Sequence, residues 1–187
     1  LPELTVGAKA PDFELQSIQG KGVSLSKILQ QDNTKAVVVQ FISTRCPVSK
    51  AYDARMVELH RKYRNLGVRF IGVNSNCFPQ KNYEDLDEMA THAEKNGLKY
   101  WIVKDELSRV ANAYGAASTP HMFLLDETGT IRYVGAIDDS QRAGAVKERF
   151  LANALDLLLA GKEIKVTHTK SYGCSIKRDR KAMSAVQ

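Results

Sequence analysis

The sequence predicts an α/β protein: a central mixed β-sheet with helices on both faces, an N-terminal hairpin and a C-terminal extension. The first sign is a strand–helix–strand unit, in which the apolar segments "KAVVVQFI" (35–42) and "VRFIGVN" (68–74) flank a helical spacing that starts at Pro47. Such a crossover makes its two strands parallel. The second sign is "HMFLLDETGTIRYVG" (121–135), which is typical of an antiparallel hairpin and precedes an amphipathic helix. Parallel and antiparallel strands together make a mixed sheet.

The first half of the chain contains signals for each of its elements. After a turn-rich start, "GKGVSL" (20–25) is typical of a hairpin or loop, and Ser24 or Ser26 can cap the short helix "LSKIL". The helix from Pro47 has an apolar stripe and should end at Gly67. That stripe consists of Tyr52, Met56, Leu59 and Tyr63.

The second half alternates helices and strands. Residues 82–97 predict a helix with Asn82 as a possible N-cap and Gly97 as its stop. "YWIV" (100–103) predicts a third strand, and "ELSRVANAYG" (106–115) predicts a short helix. A long amphipathic helix is predicted over "AVKERFLANALDLLLAG" (145–161). Its apolar face would consist of Val146, Phe150, Leu151, Leu155, Leu158 and Leu159, with Gly161 as the cap.

We expect one folded domain over residues 1–161 and a basic extension over residues 162–187 that carries Cys174. The extension has no strong periodicity, so it should either drape over the domain or be mobile. Of the net charge of +6, +5 lies from Gly161 onward, which leaves a nearly neutral body. That distribution is typical of a solvated tail and argues against a nucleic-acid partner.

No apolar run approaches the roughly 20 residues that cross a bilayer, so no transmembrane segment is expected. The sequence begins Leu1-Pro2-Glu3 without an initiator Met, which is typical of a processed or trimmed end. We therefore expect an extracytoplasmic location, as for an exported bacterial protein, ahead of a cytoplasmic one.

The three cysteines are Cys46, Cys77 and Cys174, a number that does not describe a disulfide scaffold. There is no CxxC motif, and the four histidines lie far apart in the sequence. We expect neither a metal site nor a cofactor.

Cys46 is the candidate reactive group, because it stands where a buried strand ends and a helix begins. Sites in open α/β sheets collect at the carboxyl ends of parallel strands. The free N–H groups and the dipole of a helix N-terminus favour a thiolate, and Arg45 and Lys50 add positive charge. Pro47 suits the first helical position. The alternative is a small buried hydrophobic residue, a common role for free cysteines.

The segments "VGAKAPDFEL", "VVVQFISTRCPVSK", "STP" (118–120) and "DETGTIRYVG" resemble the thioredoxin superfamily. More narrowly, they resemble its peroxiredoxin-like redoxins, the alkyl hydroperoxide reductase and thiol-specific antioxidant family. The resemblance covers residues 6–161, and "GCSIK" (173–177) is similar to an ending found in one redoxin subgroup. It implies a thioredoxin-like fold and a redox-active cysteine.

The resemblance also implies roles for matching positions. Cys46 would be the nucleophile, while Ser49 replaces the second cysteine of CxxC and would help the helix amides to stabilise the thiolate. Thr119-Pro120 would form the cis-proline loop that faces the cysteine and receives the substrate chain, a cis bond that X–Pro permits. The alternative for Pro120 is an ordinary trans turn.

The chain also departs from both patterns. Ser49 cannot form a disulfide, and Gln40 replaces a buried acid that is common in thioredoxins. Ser43 matches the hydroxyl residue three before the peroxidatic cysteine, but Val39 replaces the proline of that motif. There is no arginine near residue 120, so Arg45 is the candidate donor for polarising a peroxide.

A thiol that has attacked a substrate must be resolved by a second thiol. The family ending favours Cys174, topology favours Cys77 because it follows the second strand, and an external thiol is the third possibility. His121, next to Pro120, could tune the thiolate or help to hold copper, or be a structural residue.

The leading hypothesis is a thiol-based oxidoreductase that exchanges disulfides with protein or small-molecule partners through Cys46. The second is a hydroperoxide reductase with Cys46 as the peroxidatic, antioxidant thiol. A non-catalytic binding module is the third, and a copper metallochaperone is a weaker fourth because paired cysteines are absent. The sequence does not indicate an oligomeric state.

Overall fold

The computed structural model describes residues 1–79 and 83–179. The strands are β1 (Glu14–Gln16), β2 (Gly22–Ser24), β3 (Ala36–Phe41), β4 (Val68–Asn74), β5 (Trp101–Lys104), β6 (Ser118–Thr119), β7 (His121–Asp126), β8 (Ile131–Gly135) and β9 (Cys174–Ser175). The helices are α1 (Leu25–Leu29), α2 (Pro47–Ala51), α3 (Asp53–Tyr63), α4 (Leu86–Asn96), α5 (Arg109–Tyr114) and α6 (Phe150–Leu159). Within the described residues, no helix is both long and apolar enough to cross a membrane.

Five strands form the central sheet, in the order β5-β4-β3-β7-β8. β3, β4 and β5 are parallel, whereas β7 is antiparallel to β3 and β8 is antiparallel to β7. The mixed sheet and the N-terminal hairpin of β1 and β2 are therefore as predicted. In the middle of the sheet, Phe41 at the end of β3 lies opposite Val73 of β4 and His121 of β7.

β3 is buried along its whole length because apolar layers cover both faces of the sheet. Val38 points to a layer built mainly from α3, α4 and α6. Val37 and Val39 point to the opposite layer, which includes residues of α1 and α5. Helices on both faces of the sheet are thus confirmed.

The helix predicted from residue 106 begins at Arg109 as α5, and three further helix boundaries differ from the predictions. The helical segment after Pro47 is divided at Tyr52 into α2 and α3, and its last turn is a 3₁₀ turn that ends at Gly67. Asn82 lies outside the described residues, and α4 instead begins after Asp85, whose side chain accepts a hydrogen bond from Glu88 N.

The third boundary is the start of the last helix. Val146 precedes α6 rather than belonging to its apolar face, because Asp139 holds the backbone before the helix in another conformation. Asp139 Oδ1 accepts from Lys147 N at 2.9 Å, and Asp139 N donates to Glu148 O at 3.1 Å. These bonds keep the segment from joining the helix.

The described part of the C-terminal extension, residues 162–179, drapes over the domain. Thr169 N donates to Val134 O at 3.0 Å, which attaches the extension to β8. Further along, β9 pairs with β6 in antiparallel fashion, with Cys174 opposite Thr119. Ile176 is buried in the apolar layer. The extension therefore returns to the carboxyl end of β3. A domain boundary at residue 161 stays a prediction.

Candidate active site

Cys46 is the N-cap of α2, five residues beyond the last residue of β3. Pro47 occupies the first helical position, where the missing N–H costs nothing. Ser49 N lies 3.4 Å from the Cys46 sulfur and donates to it. The backbone thus provides a hydrogen bond to this sulfur, and its stabilisation of a thiolate in the reduced protein stays a prediction.

Cys46 forms a disulfide with Cys174, and the two Cα atoms are 5.9 Å apart. The bond joins residues 128 positions apart in the sequence, so its formation depends on the draped extension. The Thr119–Pro120 peptide bond is cis, and Thr119 O lies 3.4 Å from the Cys46 sulfur. The nucleophile candidate, the cis-proline loop and the family-implied second cysteine thus meet at one point.

Cys77 is a free, buried thiol. Its sulfur lies 3.2 Å from Ser108 Oγ, and its backbone N–H donates to Lys177 O at 2.8 Å. Cys77 therefore lies beneath the extension, in contact with the segment that follows Cys174, rather than in a bond to Cys46.

Ser43 and Ser49 tie the Cys46 loop together through their hydroxyl groups. Ser43 Oγ accepts from Cys46 N at 2.9 Å, and Ser49 Oγ accepts from Ser43 N at 3.1 Å. Both serines are buried. Ser49 thus contacts the sulfur through its amide, and its hydroxyl positions the loop.

Arg45 points toward Glu88 in α4. Its Nη2 lies 2.6 Å from Glu88 Oε2, its Nε donates to Glu88 Oε1 at 2.8 Å, and its guanidinium carbon lies 4.3 Å from the centre of the Tyr83 ring. These hydrogen bonds lower the pKa of Glu88 to about 2. The charge of Arg45 is therefore largely balanced by this carboxylate, which weakens its effect on the sulfur.

A buried polar network that the sequence analysis missed supports the Cys46 loop. Glu84 is fully buried, and its Oε1 accepts from Ser43 Oγ at 2.6 Å and from Arg45 N at 3.0 Å. Its Oε2 accepts from the side chains of Asn74 and Asn76 at 2.6 and 3.0 Å. The one sequence signal is the change from apolar to polar residues in "NSN", where β4 ends.

Lys104 supplies the positive charge of this network. Its Nζ donates to Asn74 Oδ1 at 3.2 Å and to three backbone carbonyls, those of Asn76, Tyr83 and Glu84. Burial lowers the pKa of Lys104. Asn74 therefore bridges a buried ammonium and a buried carboxylate, and this arrangement fixes the loop beneath Cys46.

His121 is completely buried, and its Nδ1 accepts a hydrogen bond from Ala117 N at 3.1 Å. Its Nε2 lies 2.9 Å from Glu3 Oε2 but makes no well-aligned hydrogen bond. The other Glu3 oxygen lies 2.7 Å from His168 Nε2. Burial lowers the pKa of His121 to about 4. In residues 1–79 and 83–179, no group of three or more His, Cys, Asp or Glu side chains is arranged to hold a metal ion.

Gln40, which stands where thioredoxins carry an acid, is buried in β3 and accepts a hydrogen bond from Tyr100 Oη at 2.9 Å. Burial raises the pKa of Tyr100, so this hydroxyl stays protonated and donates to the amide. Gln40 therefore has a structural hydrogen bond inside the sheet.

Comparison with known proteins shows the family of this chain. Residues 6–134 match the model of the AhpC/TSA family. Thiol-disulfide oxidoreductase ResA of Geobacillus thermodenitrificans is 32% identical over 131 residues, which cover 70% of this chain and 69% of the relative.

Solved structures agree with the fold. A hypothetical protein of Sinorhizobium meliloti 1021 aligns with a TM-score of 0.84 and 32% identity over 96% of this chain and 97% of its own. Peroxidoxin BcpB of Mycobacterium tuberculosis aligns with a TM-score of 0.62 at 19% identity, over 84% of this chain and 96% of its own, which supports the thioredoxin-like fold alone. The chain belongs to the AhpC/TSA family, as its sequence predicted, and is a thiol-dependent oxidoreductase.

Proposed function

We propose that this protein catalyses thiol–disulfide exchange on protein partners, with Cys46 as the nucleophile and Cys174 as the resolving thiol. The observation that carries the proposal is the disulfide between the N-cap of α2 and the strand laid along Thr119. The relative named a thiol-disulfide oxidoreductase supports the same reaction. Cys174 thus replaces the missing second cysteine of a CxxC motif.

In the first step, the Cys46 thiolate attacks one sulfur of a partner's disulfide. A bond forms between Cys46 and that sulfur, the partner's S–S bond breaks, and the second partner sulfur leaves as a thiolate. The Ser49 amide stabilises the attacking anion, and Ser43, held by Glu84, keeps the backbone of Cys46 in place.

In the second step, the Cys174 thiolate attacks the Cys46 sulfur. The mixed disulfide breaks, the partner leaves fully reduced, and the Cys46–Cys174 disulfide remains. A dithiol reductant then returns the protein to its starting state. The pairing of β9 with β6 supports this role because it holds Cys174 beside Cys46.

Hydroperoxide reduction is the competing reaction. It would need hydrogen-bond donors around the attacked O–O bond, and Arg45 was the candidate donor. The bidentate pairing of Arg45 with Glu88 commits this guanidinium elsewhere. This pairing favours disulfide exchange.

The test is to trap the mixed disulfide. In the reduced Cys174→Ser variant, the second step is blocked, so a stable adduct should form between Cys46 and a disulfide-bonded model protein, visible by mass spectrometry. Cys46→Ser should form no adduct. Cys77→Ser is the matched control, because Cys77 is buried beside Ser108, and it should turn over like the unaltered protein.

Three other results would contradict the proposal. Rapid peroxide consumption that depends on Cys46, without adduct formation, would show a peroxidase. If Cys46 is alkylated no faster than an ordinary free thiol, the remaining hypothesis is that the protein is a non-catalytic binding module. An adduct on Cys77 in place of Cys46 would overturn the assignment of the nucleophile.

A further inference from the structure

The edge of β6 next to Cys46 pairs with Cys174 and Ser175 of the extension, and the flanking residues up to Arg178 continue along a groove beyond this edge. The pairing is antiparallel, with Thr119 opposite Cys174 and Ser118 opposite Ser175. It continues beyond the strand, because Ile176 N donates to Ala117 O at 3.2 Å. The backbone of this edge can therefore hold an extended chain in one register, which is how β-strand addition binds peptides.

The groove distinguishes side chains on both sides of the cysteine. Gly173 has φ +146°, and a Cβ built there would collide with Thr119 O, so this position requires glycine. Ile176 is only 6% exposed and joins the apolar layer that contains Ala111 and Ala116. In contrast, Ser175 is exposed, and its side chain is free to vary.

The last two residues of the segment also make specific contacts. Lys177 N donates to Asn76 Oδ1 at 2.7 Å, and Lys177 O accepts from Cys77 N at 2.8 Å, so the groove holds the backbone at this position. Arg178 Nε donates to Asn112 Oδ1 at 2.8 Å, and its Nη2 donates to Ala116 O. These acceptors lie at the carboxyl end of α5, where a cation is favoured.

We propose that this groove is the partner-binding site of the reduced protein and that the partner presents an extended Gly-Cys-Xaa-aliphatic-Xaa-Arg segment in place of the tail. The inference rests on the proposed disulfide exchange and adds to that reaction a sequence by which partners are recognised. The tail is then a tethered copy of the partner segment. It leaves the groove when a partner enters, and it returns with Cys174 to release that partner.

The test compares peptides on one protein, the reduced full-length Cys174→Ser variant, so that folding is the same in every arm. The probe is acetyl-Gly-Cys-Ser-Ile-Lys-Arg-amide whose cysteine is disulfide-bonded to 2-nitro-5-thiobenzoate. The Cys46 thiolate attacks the peptide sulfur, the existing S–S bond breaks, and the nitrothiobenzoate leaves as a coloured thiolate. The absorbance gives the rate.

Two peptide substitutions should slow the reaction at limiting concentration. Replacing the glycine by alanine introduces the collision with Thr119 O, and replacing the isoleucine by aspartate loses the buried aliphatic contact. We expect each to reduce the rate about tenfold or more. The matched control replaces the exposed serine by alanine and should stay within about twofold of the parent peptide.

Glutathione disulfide separates the two proposals, because its cysteine has neither a preceding glycine nor a following aliphatic residue and arginine. If Cys46 reacts with it but all the peptides react equally, or none of them reacts, the groove is overturned and disulfide exchange stands. If Cys46 reacts with neither probe faster than a free thiol does, disulfide exchange fails and the groove proposal fails with it.

Discussion

Replacing Glu84 by glutamine should destabilise the protein severely, although the side chain keeps its size. Four donors converge on the two carboxylate oxygens: Ser43 Oγ, Arg45 N and the side-chain amides of Asn74 and Asn76. A glutamine has one acceptor oxygen and places an NH₂ group against donors that need an acceptor. It also removes the negative charge that balances Lys104 through Asn74.

The magnitude follows from burial, since both charged groups are almost inaccessible. Glu84 is 0% and Lys104 5% exposed, so water cannot solvate the remaining ammonium. Removing one partner of a buried charge pair costs about 3–5 kcal/mol, and this range includes the cost of the hydrogen bonds that are lost with it. We expect the free energy of unfolding to fall by about that amount.

Urea unfolding of the oxidised protein measures this loss, with Glu88→Gln as the control. Glu88 belongs to the same region, but its pair with Arg45 is exposed to solvent, so its loss should cost below about 1 kcal/mol. Lys104→Met also removes the donor to three buried carbonyls, so it should be costly alone. Added to Glu84→Gln, it should cost less than it does in the unaltered protein, because it then removes an unbalanced charge. A cost for Glu84→Gln below about 1 kcal/mol, or strictly additive costs in the double variant, would refute the reasoning.

Three further predictions concern charge, pH and backbone conformation. Arg45→Gln should leave the pKa of the Cys46 thiol nearly unchanged, because Arg45 is paired with Glu88. The pKa is measured by pH-dependent alkylation in a protein without the other two cysteines. A rise of the pKa by a full unit would contradict this account of Arg45. His121 titrates near 6.5 when unfolded and at about 4 when folded, so the unfolded chain binds the proton first and stability falls as pH drops through this window. Across this window the free energy of unfolding should fall by about 3 kcal/mol, and this fall should be absent in His121→Asn. Urea unfolding at several pH values measures it, and the same pH dependence in both proteins would exclude the effect. Gly67→Ala should lower the melting temperature, because φ is +84° and an added Cβ would collide with Asn33 O. Gly144→Ala is the control, since the space there is open. An equal effect of the two substitutions would argue against backbone strain at Gly67.

The fold was predictable where one local pattern determines one element. The apolar run of β3 and the Cys46-Pro47 pair at a helix start depend on neighbours in the sequence, so they appeared as predicted. The start of α4 was predicted with Asn82 as the N-cap, whereas the N-cap is Asp85, a residue type that caps helices equally well. The late start of α6 depends on hydrogen bonds from Asp139, which a helical period cannot reveal.

The site was less predictable, because its parts are joined by tertiary contacts. Cys174 came from the resemblance, whereas topology alone pointed to Cys77. Arg45 precedes Cys46 in the sequence, yet its guanidinium is captured by Glu88 from another helix. The polar "NSN" segment marked the end of β4, but nothing in the sequence marked Glu84 as buried, since a glutamate in a polar loop is normally solvated.

Disulfide mapping of the oxidised protein tests the central claim most directly. After blocking of free thiols with iodoacetamide, proteolysis and mass spectrometry, the account predicts one peptide pair that joins Cys46 to Cys174, with Cys77 alkylated only after unfolding. A Cys46–Cys77 bond, or Cys46 linked to neither cysteine, would contradict the resolving role of Cys174.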